Sequence, residues 1–233
     1  MKTSNKILLG IFVGIIILTT AVQLMVYAKY KRGEFTSFKR ERFIPMASIT
    51  VPAARFISIK GLGSVAVKPS NTLGLEIQKG DTDKIKYHVL NDTLYISNPT
   101  NSDDQLERGM RTAGLVNIHL PASVQLNAAY SDLRVWGADD PASAPSYNIN
   151  QKNCYFFINF SGGKQASVYL NQLNLNSLSS FSDLDKHAVI NELNMQLSDS
   201  KLSDNQATIR KLTIDADDLS LINLSGKNVK AIK

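Results

Sequence analysis

The C-terminal third of the chain carries an internal repeat, and this repeat limits the fold more than any other feature of the sequence. A triplet of apolar residues recurs with steps of +3 and +2 inside each copy, and successive copies are 20, 19 and 20 residues apart. Strand alternation has a period of two, so a +3 step marks a bend that changes which residues face inward. The copies are Leu170, Leu173 and Leu175; Ile190, Leu193 and Met195; Ile209, Leu212 and Ile214; and the truncated pair Val229 and Ile232.

The repeat predicts a parallel β-solenoid with rungs of about 20 residues, because repeats of this length are typical of stacked units. Each residue then lies beside the residue one rung later, with neighbouring strands about 4.8 Å apart. Apolar residues form inward ladders, and polar residues such as Asn174, Asn194 and Thr213 form outward ladders. A two-sheet sandwich is the main competing fold, but a sandwich does not require a fixed period.

The soluble part upstream of the repeat also has the pattern of strands. Short apolar alternations are separated by Gly, Asn, Asp and Ser, and no long segment has a helical period. We therefore predict an all-β domain in which the proline-containing segment 137–152 is a loop. The predicted parts are 46–97 (first strands), 98–114 (polar loop) and 115–233 (repeated rungs), together forming a β-solenoid domain over 46–233.

A short basic N-terminus, residues 1–6, precedes one long uncharged stretch, residues 7–28. As an α-helix this stretch would extend about 33 Å, enough to cross the hydrocarbon core of a bilayer. A cleaved signal peptide is the alternative, since Val26 and Ala28 are small residues at −3 and −1 of a cleavage site. The stretch is longer than the usual apolar region of about 7–15 residues in a signal peptide, which favours an uncleaved transmembrane helix or signal anchor.

Nearly all of the net positive charge flanks this stretch. Residues 1–42 contain eight basic and two acidic residues, whereas the remaining 191 residues contain 18 of each. Because the folded part has no net charge, we exclude a nucleic-acid-binding module, which would carry a basic stripe. The lipid membrane is the predicted partner of residues 7–28 and of the basic juxtamembrane linker, residues 29–45.

The orientation in the membrane has conflicting indications. Two basic residues precede the uncharged stretch and six follow it, and the positive-inside rule then places the C-terminal domain in the cytoplasm. A short basic region directly before an apolar run is, however, the layout of a secretory signal or signal anchor. We favour a single-pass protein of the cell (inner) membrane with a periplasmic, extracytoplasmic C-terminal domain.

No pattern in the sequence predicts catalysis, a metal site or a cofactor. The histidines, His88, His119 and His187, have no His or Cys partner at metal-ligand spacing. Cys154 stands beside aromatic residues and has no histidine near it in the sequence, so we expect a buried and unreactive thiol.

Among the polar residues of the repeat, the aspartates are the strongest candidates for catalysis or metal binding. Asp199 and Asp218 are 19 residues apart, so a solenoid would stack them at one turn, below Ser179. Paired carboxylates can cleave glycosidic bonds or bind calcium, whereas Asp is also a common turn residue without either role. We favour the turn interpretation and keep both aspartates as surface candidates.

Aromatic residues cluster between positions 130 and 160, and Trp136 and Tyr147 stand on either side of Pro141 and Pro145. An exposed cluster would suit carbohydrate or protein binding. The alternative, which we favour, is a core that needs large side chains at this point. Trp136 and Tyr147 remain surface candidates for the first case.

Several short segments resemble one bacterial family, the auto-transporter adhesin head domains of Bacteroidetes, also called GIN or DUF2807 domains. The family repeats a strand, a Ser-Gly turn and a second strand, as at Ser161-Gly162 and Ser225-Gly226, whereas Ser198-Asp199 departs from it. The resemblance covers residues 46–233 and implies a right-handed β-helix-like domain exported beyond the cytoplasmic membrane, without known catalytic residues. The resembling segments are RFISIKG at 55–61, VAV at 65–67, DKIK at 83–86, DTLYI at 92–96 and VNIHLP at 116–121.

These observations predict a membrane-anchored, extracytoplasmic β-solenoid of the cell envelope that is not an enzyme and serves in binding, adhesion or structure. Its expected partner besides lipid is an envelope protein or a glycan. One alternative is a scaffold for envelope-stress signalling. The other is a glycan-active enzyme that uses the stacked aspartates.

Overall fold

A computed structural model describes residues 3–32, 45–100, 102–107, 112–159 and 167–232. The chain forms two compact units, residues 1–43 and residues 44–233. Parts of the predicted linker over 29–45 and of the predicted loop over 98–114 lie outside the described residues, as does the Ser161-Gly162 turn.

The described part of the first unit is a helix, α1 (Thr3–Lys31). Its apolar segment, Ile7–Lys29, is long and apolar enough to cross a membrane, since the hydrocarbon core is about 30 Å thick. A signal sequence near the N-terminus meets the same criterion. The predicted helix over 7–28 is therefore confirmed as a helix, and its role as an anchor stays a prediction.

The described part of the second unit consists mainly of short strands, with two short helices. The strands before the repeat are β1 (Met46–Ile49), β2 (Phe56–Lys60), β3 (Leu62–Pro69), β4 (Gly74–Gln78), β5 (Lys86–Leu90), β6 (Thr93–Ser97), β7 (Thr112–Leu120), β8 (Gln125–Ala129), β9 (Asp132–Trp136), β10 (Ser146–Lys152) and β11 (Tyr155–Asn159). The repeat contains β12 (Val168–Leu178), β13 (Phe181–Asp183), β14 (Ala188–Ser198), β15 (Lys201–Ser203), β16 (Thr208–Ala216) and β17 (Leu221–Asn223). The helices are α2 (Asp103–Glu107), between β6 and β7, and α3 (Gly226–Val229), after β17.

The strands form two large sheets that are mostly parallel. The nine-stranded sheet has the order β1-β4-β7-β3-β9-β11-β13-β15-β17, and the eight-stranded sheet has the order β16-β14-β12-β10-β8-β2-β6-β5. From β8 to β17, successive strands alternate between the two sheets, so each pair of strands forms one rung. The antiparallel pairs β1–β4, β4–β7 and β5–β6 lie at the end of the sheets opposite β16 and β17.

The stacking predicted from the repeat is confirmed residue by residue. Leu173 pairs with Leu193, and Leu193 pairs with Leu212; all three side chains are 0% exposed. Ile232 forms an isolated parallel bridge with Leu212, so the truncated copy continues this inward column. Val229 does not continue a strand, because it lies in α3.

The rungs before residue 168 are longer than the repeat predicts. Asn148 pairs with Gln125 and with Asn174, and each partner lies farther away along the chain than one period of the repeat. Phe56 in β2 pairs with Gln125 in β8, although the strands from β3 to β7 lie between them in the chain. The intervening chain folds back beside β2 and β3, because β6 pairs with β2 and β7 pairs with β3 on the side away from β8 and β9.

Two segments predicted to be loops contain regular structure. β10 occupies the second half of the predicted loop 137–152. Pro141 and Pro145 both lie in the connection before this strand, so they do not interrupt it. The predicted loop 98–114 contains α2 and the first residues of β7. Both segments are rich in polar residues. In β10 the buried side chains alternate with exposed polar ones.

The inward residues of both sheets form one hydrophobic core. Tyr147 and Phe156 are its largest fully buried side chains, so part of the aromatic cluster fills the core, as favoured from the sequence. A fully buried Leu, Ile or Phe stabilises the fold by about 1.5–3 kcal/mol relative to an exposed one. The outer faces of the sheets are then the surfaces available for function.

Candidate functional site

Each rung bends sharply where the chain passes from the eight-stranded to the nine-stranded sheet, along a side that we call the turn edge. Five bends have a residue with positive φ, between 47° and 73°: Gly61, Tyr130, Asn153, Ser179 and Asp199. Left-handed backbone is uncommon for residues other than Gly, Asn and Asp. The pairing of the flanking strands therefore imposes this conformation on Tyr130 and Ser179.

Small polar residues directly after the bends link each rung to the next. This serine spine consists of Ser131, Cys154, Ser180, Ser200 and Ser220. The backbone N–H of Cys154 donates to Ser180 Oγ, and the N–H of Ser180 donates to Ser200 Oγ, both at 3.1 Å. Because the strand ladder is interrupted at the bend, these side chains satisfy backbone groups that would otherwise be buried without a partner.

Cys154 occupies a serine position in this spine. Its side chain is buried, and its Sγ accepts from the Ser131 N–H at 3.4 Å and donates to the Lys152 carbonyl at 3.2 Å. The Ser180 and Ser200 hydroxyls donate to the carbonyls two residues before them in the same way, at 2.8 Å. The predicted burial of Cys154 is confirmed, and its contacts are those of a hydrogen-bonding residue.

Asp199 lies on the turn edge one rung from Ser179, as the repeat predicts, and Ser179 Oγ donates to Asp199 Oδ2 at 3.0 Å. The carboxylate on its other side is that of Asp217, which accepts from the Asp199 N–H at 3.1 and 3.2 Å. Asp217 thus replaces the backbone carbonyl that accepts at the previous bend, where the Ser179 N–H donates to the Ser198 carbonyl. Asp218 is exposed beside it, so the expected Asp199–Asp218 contact is an Asp199–Asp217 contact.

The hydrogen bond from the Ser220 hydroxyl to Asp217 Oδ1, at 2.7 Å, lowers the pKa of Asp217. A general acid in glycoside hydrolysis needs the opposite shift, a raised pKa. The carboxylate beside Asp199 therefore has the electrostatics of a structural cap.

A cleft of about 850 Å³ runs along the turn edge, and we call it the edge cleft. Leu219 and Leu221 line one end and are 75% and 58% exposed, and Tyr155, which is 45% exposed, lines it three rungs away. Asp199 and Lys201 supply opposite charges to the same lining. The cleft therefore groups three exposed apolar side chains, two at one end and one at the other.

Ring contacts hold the aromatic part of the edge cleft in place. The Tyr155 ring stacks on Phe157 at 6.4 Å and meets Phe181 edge-on at 6.0 Å, between ring centroids. The Lys201 ammonium lies 5.8 Å from the Phe181 ring centroid. Tyr155, Phe181, Lys201 and Leu221 pair in one outward column of the nine-stranded sheet, so the cleft wall is built by strand register.

Trp136 and Tyr147 contact each other, but only Trp136 reaches the surface. Trp136 is half-buried at the end of β9, with the Lys68 ammonium 5.8 Å from its ring centroid. Tyr147 is 1% exposed, and its hydroxyl donates to the Trp136 carbonyl at 2.8 Å; burial raises its pKa. The prediction of Tyr147 as a surface residue is wrong, because alternation in β10 places it inward with Ile149.

A second groove of about 850 Å³ crosses the outer face of the eight-stranded sheet. Its floor contains one column of side chains from successive strands, Asn127, Asn150, Asn176 and Gln196, and we call it the amide groove. Asn150 Nδ2 donates to Asn127 Oδ1, and Asn176 Nδ2 donates to Asn150 Oδ1, both at 2.8 Å. The outward polar ladders predicted from the repeat are confirmed here.

The C-terminal residues after β17 are held by a buried carboxylate, Asp204. It accepts from the Ser225 N–H at 2.7 Å, the Ser225 hydroxyl at 2.8 Å and Asn228 Nδ2 at 2.6 Å. Burial opposes the charged form, but these hydrogen bonds and one from the Gln206 N–H outweigh it and lower the pKa of Asp204. In the described part of the chain, no group of three or more His, Cys, Asp or Glu side chains could hold a metal ion.

The sequence contains a further signal for the serine spine, whereas the edge cleft has none. Ser180, Ser200 and Ser220 are spaced at the period of the repeat, so extending the repeat to polar residues identifies this part of the spine, whereas Ser131 and Cys154 lie in the longer, earlier rungs. The apolar residues of the edge cleft have no such signal, because strand residues of either face can be apolar in a short strand.

Comparison with solved structures finds low-level likenesses. A candidate adhesin from Bacteroides fragilis is 10% identical, over 78% of this chain and 97% of that chain, with a TM-score of 0.34. A candidate lipid-binding protein from Parabacteroides distasonis is 12% identical, over 74% and 75%, with a TM-score of 0.34. A candidate cell adhesion protein from Clostridium sporogenes is 13% identical, over 77% and 97%, with a TM-score of 0.36.

At TM-scores this low, the likenesses establish neither a shared fold nor a shared function. No family model matches the chain, and no curated protein matches it. Membership of the GIN family therefore stays a prediction from the sequence.

Proposed function

We propose that the chain is a membrane-anchored, non-enzymatic binding protein of the cell envelope, which docks a partner protein at the edge cleft. The observation that carries this proposal is the exposed apolar wall of the cleft, formed by Tyr155, Leu219 and Leu221. Exposed apolar side chains grouped with charged ones in a cleft suit a protein interaction site.

In this proposal the second unit is a right-handed β-solenoid. Strands alternate between the two sheets from β8 to β17, and the nearly constant register offset between β12, β14 and β16 supports stacked rungs. A sandwich gives no reason for a constant offset. The handedness is proposed because parallel crossover connections are right-handed in about 98% of cases.

The composition of the edge cleft favours a protein partner. Tyrosine is enriched in the energetically dominant residues of protein interfaces, and Tyr155 is fixed by its contacts with Phe157 and Phe181. The flexible aliphatic residues Leu219 and Leu221 suit a protein surface better than a sugar ring, which prefers a flat aromatic face. Asp199 and Lys201 supply charges that can set the orientation of the partner.

The absence of catalysis is part of this proposal. The carboxylate next to Asp199 is hydrogen-bonded by Ser220 and has a lowered pKa. A paired acid and base require carboxyl groups whose pKa values are pushed apart, one of them upward. The alternative of a glycan-active enzyme therefore gains no support from Asp217.

We further propose that α1 anchors the protein in the cell membrane, with the β domain on the periplasmic side. A protease added to intact spheroplasts should digest the β domain and leave α1 in the membrane. Digestion only after the membrane is disrupted would place the domain in the cytoplasm, as the charge distribution suggests, and would refute the envelope role.

The docking site is tested with a photo-crosslinking residue placed at Tyr155 or at Leu221 in intact cells. Asn148 is the matched control, because it is exposed on the outer face of the other sheet. We expect one discrete adduct from both cleft positions and none from Asn148. Equal adducts from all three positions, or none from the cleft, would contradict docking at the edge cleft.

A further inference from the structure

The amide groove lies on the eight-stranded sheet, whereas the edge cleft is lined by the bends and by the nine-stranded sheet, and the two differ in chemistry. It extends from Ser58 on β2 to Asp215 on β16, across six neighbouring strands of one sheet. At about 4.8 Å between strands its length is roughly 24 Å. A groove of this length accommodates a chain molecule that runs across the strands.

The groove floor presents unused hydrogen-bonding capacity at each rung. A primary amide has two N–H donors and two acceptor lone pairs. Asn150 uses one donor on Asn127 and one lone pair on Asn176. Among the described residues its second N–H and second lone pair have no hydrogen-bond partner, and Asn176, one rung later, uses only the donor that it gives to Asn150. A ligand matched to this floor carries groups that both donate and accept, repeated along its length; hydroxyl groups have this property.

The charge of the groove selects against ionic ligands. Its charged lining residues are Lys152, Asp215 and Asp217, and the two aspartates lie on and just after β16, at one end. The central column from Asn127 to Gln196 is uncharged. Anionic polymers need arrays of Lys and Arg, which this surface does not provide.

Aromatic side chains continue the groove column at its other end. Tyr95 pairs with Ser58 across β6 and β2, and its ring stacks on that of His88 with centroids 5.1 Å apart. His88 covers one side of the Tyr95 ring, and the neighbour on the other side is the small side chain of Ser58. Tyr95 is 37% exposed, and Phe56 on the same outer face is 40% exposed. Flat aromatic faces pack well against the C–H faces of sugar rings.

We propose that the amide groove binds a neutral polysaccharide chain that lies across the strands, with its hydroxyl groups on the amide ladder and one end against Tyr95. The site shares no lining residue with the edge cleft, although the two border the same bends, and its occupant follows from the repeated amides, the uncharged floor and the aromatic end. Together with docking at the edge cleft, it would give the β domain two different ligands at two sites.

The test uses the full chain in lipid nanodiscs and affinity electrophoresis in gels containing neutral polysaccharides: laminarin, hydroxyethyl cellulose, mannan or dextran. Polygalacturonate is the anionic comparison. Asn150→Ala removes one groove amide, and Asn148→Ala is the matched control. Asn148 lies two residues earlier on β10 and accepts from Asn174 in a neighbouring ladder, but it does not line the groove.

We expect at least one neutral polysaccharide to retard the protein, and Asn150→Ala to weaken that binding about tenfold through lost hydrogen bonds. Asn148→Ala should bind like the unmodified chain. Tyr95→Ala, which leaves the amide ladder intact, should also weaken binding about tenfold and gives a second readout if Asn150→Ala fails to fold. Its control is Tyr87→Ala, since alternation on β5 directs Tyr87 to the opposite face from His88.

Retardation by none of the neutral polysaccharides, or by polygalacturonate alone, would overturn the proposal. Equal weakening by Asn150→Ala and Asn148→Ala would do the same. The result is independent of the edge cleft: a Leu221→Ser variant that loses its crosslinked partner should keep its polysaccharide binding. Loss of both by Leu221→Ser would show that the two surfaces are not separate sites.

Discussion

The serine spine predicts an order of stability for substitutions at Cys154 that differs from the usual one. A buried cysteine normally behaves as a small hydrophobic residue, and valine should then be a better replacement than serine. In this chain Cys154 accepts from the Ser131 N–H and donates to the Lys152 carbonyl, like the serines of the neighbouring rungs. We therefore expect Cys154→Ser to be more stable than Cys154→Val.

The loss of stability depends on which buried backbone groups lose a hydrogen-bond partner. Cys154→Val leaves the buried Ser131 N–H without its acceptor, which costs about 1–3 kcal/mol. The Lys152 carbonyl keeps a second donor, the Tyr130 N–H at 2.9 Å, so this single unpaired donor sets the cost. Cys154→Ser keeps both hydrogen bonds and removes little volume, and we expect it to cost less than about 1 kcal/mol.

The free energy of unfolding can be measured by urea denaturation of the full chain in detergent micelles. The fluorescence of the single tryptophan, Trp136, reports on the β domain. Ser180→Ala removes the acceptor of the Cys154 N–H and should also cost about 1–3 kcal/mol. The control Ser198→Ala changes an exposed serine and should stay within about 0.5 kcal/mol. A Cys154→Val variant as stable as the unmodified chain, or more stable than Cys154→Ser, would refute the hydrogen-bonding role of the spine.

Three further substitutions test the core, one close backbone approach and the C-terminal cap in the same denaturation assay. Leu193→Ala removes a side chain with 0% exposure from the inward column and should lower the free energy of unfolding by about 2–5 kcal/mol. At Gly137 a Cβ would lie 2.4 Å from Val168 Cγ1, so Gly137→Ala should cost at least about 1–3 kcal/mol, whereas Gly226→Ala, with nothing within 4 Å, should not destabilise. Asp204 has a lowered pKa in the folded chain, so its stabilisation is present above the unfolded value near 3.9 and is lost as the pH falls through the folded value. Asp204→Asn should therefore be less stable at pH 7 and lose less stability between pH 5 and pH 2; an unchanged acid dependence would contradict this assignment.

The sequence-based predictions are accurate where successive rungs have the same number of residues. Leu173, Leu193 and Leu212 fall at nearly constant spacing, so a fixed period reveals their stacking without knowledge of the fold. Insertions change the spacing in the earlier rungs, and the pairing of Phe56 with Gln125 spans all the strands from β3 to β7. Pairing over such a distance is decided by tertiary contacts, and no local pattern encodes it.

The regularity of the rungs also decides for which candidate residues the sequence predicts the position in the fold. Asp199 can be placed on the turn edge because it lies within the regular part of the repeat. The prediction for Tyr147 is wrong because the polar composition of its strand predicts a loop, and without a strand there is no alternation to show which side chains face inward. Leu221 lies in β17, the last strand of the nine-stranded sheet, and Leu219 lies just before it; nothing in the sequence indicates that they are exposed.

The position of these two leucines connects the edge cleft with the end of the sheets. β16 and β17 are the last strands of their sheets. An edge strand presents unpaired N–H and C=O groups that can form hydrogen bonds with another strand. The β16 edge is partly covered, since the Leu212 N–H donates to the Ala231 carbonyl at 3.0 Å and Leu212 bridges Ile232. Leu221 and Ile222 on the β17 edge remain 58% and 37% exposed. A partner that pairs with β17 would satisfy its backbone and cover Leu221 at the same time, so main-chain pairing and apolar burial favour docking at the same place. A proline at Ile222 would remove one N–H donor of this edge without changing the cleft wall. It should therefore weaken adduct formation from Leu221 if the partner adds a strand, and leave it unchanged if the partner contacts side chains alone.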